Sequence, residues 1–473
     1  VNNRNGDYAA FLERKQQRGA DLGFEPIWIP DFLYDFQQHL VEWALRKGRA
    51  AIFADCGLGK TPMQLVWAEN VVRVTNKPVL IIAPLAVSQQ TVREGEKFGV
   101  QVTRSKDGGH NGGIVITNYE RLHHFNPDDF AGAVGEESSI LKHWSGKRQK
   151  EVTRFLSKIS YRLLCTATPA PNDVVELGTS SEALGGLTHS AMLEKFFRQI
   201  SDDEKKRRAT SSDIIHSKRL SWRVIQSMGQ WAMKAHAYEP FWKWVSAWAK
   251  ACRKPSDLGS YDDSRFVLPP LNRTDHIVTP RNAPPGYLFT IPAFGLNQER
   301  AERRRTISER AELVAELTDH NDSAVVWCQL NDEADAMTEA IDGAVQVKGT
   351  QSIDAKEELL TAFIEGEERV LVTKAKIAGL GLNMQHCNHV VTFVDHSYEK
   401  FYQSIRRCWR FGQKRPVRLD VIATEGEINV KRNMDRKQKL AEQMFESIVA
   451  FMNESQDVAE KVATKKAEVP KWL

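Results

Sequence analysis

Short apolar runs recur along the chain at Ala50–Ala54, Val79–Ala83, Gly113–Thr117, Phe130–Val134, Tyr161–Thr166, Ala324–Cys328, Val370–Thr373, His389–Val394 and Arg418–Ala423. Each is rich in Val, Ile, Leu or Phe, which suits parallel strands covered on both faces. Between them, helical spacing of apolar residues predicts helices over Gln37–Arg46, Lys60–Asn70, Val87–Lys97, Lys147–Lys158, Thr306–Asp319, Glu333–Ile341 and Ala355–Ile364. Strands alternating with helices predict an α/β sheet. The pattern comes in two blocks, Trp28–Gly178 and Thr279–Val449.

The stretch between the blocks differs in character. Thr179–Val278 has few strand-like runs and many aromatics, among them Trp222, Trp231, Trp242, Trp244 and Trp248. HAYEPFWKWVSAWAKACRK reads as an aromatic-rich helix whose tryptophans seat the insert on a main domain; a stacking platform for nucleic-acid bases is the weaker alternative. Asp202–Arg208 is a solvated charge run, and Leu268–Pro285 reads as a linker. The expected organisation is therefore an N-terminal extension over 1–27, an α/β lobe over 28–178, a helical insert and linker over 179–278, a second α/β lobe over 279–455 and a polar, fraying tail over 456–473.

Composition narrows the classes without choosing among them. The 473 residues carry 65 Lys+Arg against 61 Asp+Glu, a net charge of +4, so any nucleic-acid surface must come from local clustering. Hydrophobic residues at 41% and charged residues at 27% exclude a wholly disordered chain or a collagen. No apolar run reaches the roughly 18 residues of a membrane span, and VNNRNGDYAAFLERK holds no apolar signal segment. Six cysteines with no C-x-x-C pair predict neither a zinc site nor a disulfide frame, and a reducing interior is expected.

The strongest chemical signal is AIFADCGLGKTPMQL. A strand runs into Asp55-Cys56-Gly57-Leu58-Gly59-Lys60-Thr61 and then a helix, the G-x-x-x-x-G-K-[ST] pattern with Ala54 where the first Gly would stand. Gly57 and Gly59 let backbone N–H groups face phosphate oxygens, and the next helix adds its positive N-terminus. Lys60 supplies a cation for β- and γ-phosphates, and the Thr61 hydroxyl can ligate Mg²⁺. Downstream, an apolar strand leads into Glu136-Glu137. One carboxylate there is expected to hold Mg²⁺ and the other to polarise an attacking water.

With these residues in place the chain resembles the superfamily-two helicases and translocases, in particular the Swi/Snf-like branch and its compact, DEAD/DEAH-like members in bacteriophages and prophages. Asp55–Thr61 is similar to the family's motif I. LYDFQQHLVEW resembles its glutamine motif, which implies that Gln37 contacts adenine. Ala83-Pro84-Leu85 looks like motif Ia and Thr117-Asn118-Tyr119-Glu120 like motif Ib, both implied polymer contacts. Thr166-Ala167-Thr168-Pro169 looks like motif III, which couples hydrolysis to strand contacts. AVVWCQLNDEADAM resembles motif IV, placing Gln329 on the strand. LVTKAKIAGLGLNMQHC resembles motif V, with Gly379 and Gly381 at nucleotide or strand and Lys376 and Asn383 as polymer contacts. QSIRRCWRFGQ is similar to motif VI, in which the resemblance implies finger roles for Arg407 and Arg410 with Gln403 beside them. Arg407 and Arg410, three apart, are expected to share a helix face. The family's motif II begins with Asp; here Glu136 stands there, one methylene longer.

The resemblance implies two RecA-like lobes with parallel sheets flanking a nucleotide cleft, ATP and Mg²⁺ as cofactors, and ATP-driven movement on nucleic acid, with duplex DNA as the expected polymer. It also implies a cytoplasmic monomer, in a bacterial or phage-infected cell, with partners in replication, recombination or defence. Three alternatives stay open: an RNA helicase, a nucleic-acid clamp with an impaired ATPase, and the motor subunit of a larger restriction or defence assembly.

Overall fold

The computed structural model describes residues 21–142, 144–201, 231–293, 295–378 and 383–466. Trp222, Asp202–Arg208, Gly379 and Gly381 lie outside these, as do most of the 1–27 extension and the end of the 456–473 tail. The chain divides into two compact units, Val1–Arg265 with Leu440–Leu473, and Phe266–Lys439.

In the first unit the elements run α1 (Asp35–Lys47), β1 (Arg49–Ala54), α2 (Lys60–Thr75), β2 (Val79–Ala83), α3 (Leu85–Phe98), β3 (Val102–Arg104), β4 (Ile114–Asn118), β5 (Gly132–Glu136), α4 (Lys147–Ser157), β6 (Tyr161–Cys165), α5 (Leu177–Leu184), α6 (His189–Phe196), β7 (Phe197–Gln199), β8 (Trp231–Met233), α7 (Tyr238–Ser246) and β9 (Ala249–Cys252). Seven strands form one sheet in the order β3-β4-β2-β5-β6-β1-β9, with every neighbouring pair parallel. β7 and β8 pair antiparallel apart from it. All residues of β2, β4 and β5 are buried, which is why these strands read as largely apolar runs.

The Trp-rich stretch is only half helix. α7 stops at Ser246, and Ala249–Cys252 adds an edge strand beside β1, pairing Ala51 with Ala249 and Ala54 with Cys252. AKAC carries no strand signal of its own; α1 covers it instead. Lys250 Nζ lies 2.6 Å from His39 Nε2 and 5.5 Å from the Trp43 ring centre, which accounts for a buried lysine on an edge. Trp242 and Trp244 are buried in the same core as Phe53 and Leu164, so packing, not base stacking, is their observed role.

The second unit contains β10 (Leu271–Val278), α8 (Gly295–Arg305), α9 (Ile307–Leu317), β11 (Ala324–Cys328), α10 (Asn331–Ala340), β12 (Ala344–Gln346), α11 (Ile353–Glu365), β13 (Val370–Lys374), α12 (Ala375–Ala378), β14 (His389–Phe393), α13 (Tyr398–Ile405), β15 (Val417–Thr424) and the start of α14 (Ile428–Lys466). Its six strands are all parallel, in the order β10-β15-β14-β11-β13-β12. β10 lies in the stretch predicted to be a linker. It is an exposed edge with few apolar residues, held to β15 along eight residues and by His276 Nε2 on Asp420 Oδ1 at 2.8 Å. The predicted fraying tail continues as helix to Lys466. Both units are thus α/β with parallel sheets, the architecture expected of RecA-like lobes. Among the described residues no helix is long and apolar enough to cross a membrane.

Candidate active site

In an open parallel sheet, functional groups gather at the carboxyl ends of the strands. In the first unit that edge carries the phosphate loop after β1, the acids at the end of β5 and Thr166 after β6. Gly57 and Gly59 take left-handed backbone conformations, with φ of 91° and 76°. Gly59 is needed twice over: a Cβ there would also lie 2.3 Å from Gln37 Nε2. Lys60, at the start of α2, donates to Ala54 O at 3.0 Å and to Asp55 O at 3.3 Å, closing the loop on itself. Asp55 N in turn donates to Cys252 O at 3.0 Å, so the unpredicted β9 braces the loop.

Gln37, implied to contact adenine, is buried. Its Nε2 donates to Leu58 O at 2.9 Å and its Oε1 accepts from Tyr34 N at 3.0 Å. It therefore latches the N-terminus of α1 to the phosphate loop.

The paired acids differ in setting. Glu136 is 5% exposed, and its Oε2 accepts from Thr91 Oγ1 on α3 at 3.2 Å. Tyr119 Oη donates to the Glu136 carbonyl at 2.8 Å. Burial, then the negative charges of Glu137 and Glu94, push the Glu136 carboxyl up to about 8, opposed by the Thr91 bond and by Lys60. Glu137 has φ of 52°, a left-handed conformation costing on the order of 1–3 kcal/mol in a residue with a side chain. Its Oε2 accepts from Thr166 Oγ1 at 3.2 Å, and Thr166 Oγ1 also accepts from Thr168 N at 3.1 Å. Thr166, Ala167 and Thr168, the implied coupling residues, are all buried; Thr166 bonds to Glu137, and Thr168 connects to it through Thr166.

The Glu136 shift sets a pH dependence. The folded chain keeps a proton on Glu136 between about 4.5 and about 8, where the unfolded chain has released it. Folded protein binds more protons there, so this group costs stability as pH rises through that window. In the absence of nucleotide, Glu136→Gln should unfold at a higher temperature than the parent, by a margin that grows from pH 5 to pH 8.5. Parallel melting curves across that range would refute the assignment.

Three implied polymer contacts are not at the surface. Thr117 and Asn118 end β4 and are buried, Asn118 Oδ1 capping the next turn by accepting from Arg121 N at 3.1 Å; Tyr119 is 2% exposed beneath Glu136. Pro84 is half-buried at the start of α3.

In the second unit, α13 ends at Ile405, so Arg407 and Arg410 lie in turns beyond it and do not share a helix face. Gln403 and Arg407 are buried, whereas Arg410 is half-buried. The turn is clamped at both ends. Met384 N donates to Arg407 O at 2.9 Å, and Gln413 Nε2 donates to Cys387 O at 2.9 Å and to Cys408 O at 3.3 Å. The Arg406 guanidinium packs over the Trp409 ring at 4.9 Å. Gln329 Nε2 donates to Val394 O at 2.7 Å and its N to Glu333 Oε2 at 2.7 Å, while Glu333 pairs with fully buried Arg310. That engagement staples strand ends together. Lys376 and Asn383 are exposed.

Thr61 and Glu136 offer a hydroxyl and a carboxylate, the hard oxygen donors Mg²⁺ takes. A buried carboxyl with two acidic neighbours suits a divalent cation, which would relieve their repulsion. Sequence reasoning missed Thr91, Glu94 and the bond from Tyr119. A lone Thr inside a helix carries no motif signal.

Residues 308–412 match the helicase conserved C-terminal domain family. A curated relative, the putative ATP-dependent helicase/translocase YwqA of Bacillus subtilis (strain 168), is 21% identical over 471 residues, covering 88% of this chain. The chain spans about half the length of that relative, 49%. Among solved structures, the Sulfolobus solfataricus SWI2/SNF2 ATPase core in complex with dsDNA is 16% identical, with a TM-score of 0.40, 93% of this chain and 98% of that one being covered. In sequence the chain is similar to superfamily-two helicases.

Proposed function

We propose that this chain is an ATP-dependent translocase on nucleic acid, of the Swi/Snf-like kind and closest to its phage and prophage members, with duplex DNA as its polymer. The observation that carries the reading is the carboxyl edge of the first sheet. There Lys60 and Thr61 follow β1, Glu136 and Glu137 end β5, and Thr166 is hydrogen-bonded to Glu137 at 3.2 Å. The helicase C-terminal match over 308–412 supports it from the other half of the chain.

In this reading the loop N–H groups and Lys60 hold the triphosphate. Thr61 and Glu136 would hold Mg²⁺, which supplies charge neutralisation at the β- and γ-phosphates when bound. Glu137 orients the attacking water and takes its proton. Its bond to Thr166 carries that event towards Thr168. Arg407 and Arg410 stabilise charge on the transferring phosphate during turnover. Contacts to phosphates dominate polymer binding, so affinity falls steeply with salt and depends little on sequence. The working form is a monomer in the cytoplasm of a bacterial or infected cell.

The test is the hydrolysis rate at one salt concentration with no polymer, duplex DNA, single-stranded DNA and RNA. Strong stimulation by duplex DNA is expected. Stimulation mainly by RNA would move the chain to the RNA-helicase alternative. The buried Glu136 favours one second reading, a clamp with an impaired ATPase. ATP binding without turnover in any lane would select it.

A further inference from the structure

We infer that Thr91 is a positioning residue for the Glu136 carboxylate, fixing the side chain of a residue whose main-chain carbonyl is held by Tyr119. The inference rests on the ATPase reading above and adds Thr91, a residue which no motif assigns.

The geometry is specific. Thr91 is fully buried on α3, and its hydroxyl has two acceptors, Val87 O at 3.1 Å and Glu136 Oε2 at 3.2 Å. A helical threonine ordinarily bonds only back to the carbonyl four residues earlier. Here the same hydroxyl also reaches a carboxylate 45 residues away in sequence. Tyr119 is buried too and holds the main chain of the same residue, donating to the Glu136 carbonyl at 2.8 Å. Side chain and backbone of Glu136 are thus held from two independent elements.

Glutamate needs this more than aspartate would. Its extra methylene adds a rotatable bond, so the carboxylate can sweep positions that the shorter acid cannot reach. A metal site demands a fixed oxygen, and losing a group that orients a ligand typically costs about 10–100-fold in metal affinity. Thr91 supplies the fixing bond on one oxygen, leaving the other for the metal.

The experiment compares Thr91→Val, which keeps the shape and removes the hydroxyl, with Thr91→Ser, which keeps the hydroxyl. Two quantities are read. One is the Mg²⁺ concentration giving half-maximal polymer-stimulated hydrolysis. The other, independent of turnover, is the Mn²⁺ dissociation constant of the complex with a non-hydrolysable ATP analogue, by electron paramagnetic resonance. Loss of such an orienting group typically costs about 10–100-fold. Both quantities should therefore rise by about tenfold or more in Thr91→Val and return to within about threefold of the parent in Thr91→Ser. The ATP KM at saturating Mg²⁺ should move by less than about twofold. A purely structural role would lower the melting temperature and leave the Mn²⁺ constant unchanged. Unchanged Mg²⁺ and Mn²⁺ constants in folded Thr91→Val, or no recovery in Thr91→Ser, would overturn the inference. If Thr91→Val does not fold, Thr91→Ala is read in the same way, and unchanged constants there overturn it. A parent protein that hydrolyses nothing sinks the ATPase reading instead, while the Mn²⁺ comparison still decides this one.

Discussion

Lys60→Ala should lower polymer-stimulated ATP hydrolysis by about 10²–10³-fold, the loss typical of removing one preorganised charge-stabilising donor. Three effects combine. The ammonium that would meet the β- and γ-phosphates is gone. The loop loses the bonds to Ala54 O and Asp55 O that hold it closed when no phosphate is present. Lys60 is also one of the charges opposing the upward shift of Glu136, so that carboxyl becomes harder still to ionise. Polymer affinity should change by less than about twofold, because Lys60 sits inside the phosphate loop and none of its bonds reaches a segment with implied polymer contacts. Phosphate release and fluorescence anisotropy on labelled duplex, measured side by side at fixed salt, separate the two. Hydrolysis at the parental rate would remove the phosphate loop from the mechanism.

What could be read from the chain follows what each element is packed against. β2, β4, β5 and β14 are covered on both faces, so their sequences are mostly apolar and conspicuous. β10 is an edge with alternating exposure, and Asn272, Arg273, Asp275 and His276 within it resemble a linker until β15 is placed beside them. Ala249–Cys252 became a strand because α1 and β1 enclose it, a context no window of four residues contains. α14 was hidden by polarity: a long helix whose apolar positions include Met444, Phe445 and Ile448 reads as tail where those positions thin out.

The site divides along a similar line. Lys60, Thr61, Glu136, Glu137 and Thr166 were legible because each sits at a strand end in a local pattern, and strand ends are where a parallel sheet assembles chemistry. Direction was not legible. The resemblance implied a polymer contact for Tyr119, yet its ring turns into the core and its hydroxyl meets the Glu136 carbonyl. Arg407 and Arg410 have helical spacing, yet α13 stops at Ile405 and Gly412 follows with φ of 93°. Thr91 was invisible because only the completed β2–β5 neighbourhood brings α3 over the acid.

Arg410→Ala should slow maximal hydrolysis by about 10³-fold or more while ATP still binds, since an arginine acting on the transferring phosphate contributes about 10³–10⁵ in rate. Arg410 is a cleaner probe than Arg407. Arg407 is 6% exposed, so truncating its side chain also disturbs packing and will lower the melting temperature. Arg410 is half-buried, and the bond that fixes its backbone, Gln413 N to Arg410 O at 3.0 Å, survives truncation of the side chain. Arg410→Lys sharpens the result. It keeps the charge but loses the planar fork that engages two phosphate oxygens at once, so recovery should be small. A mere surface cation would be restored by lysine almost completely. The split between constants decides the role. A rate defect with unchanged ATP affinity is transition-state stabilisation; a large loss of affinity with a normal maximal rate is uniform binding and would make Arg410 a nucleotide anchor instead.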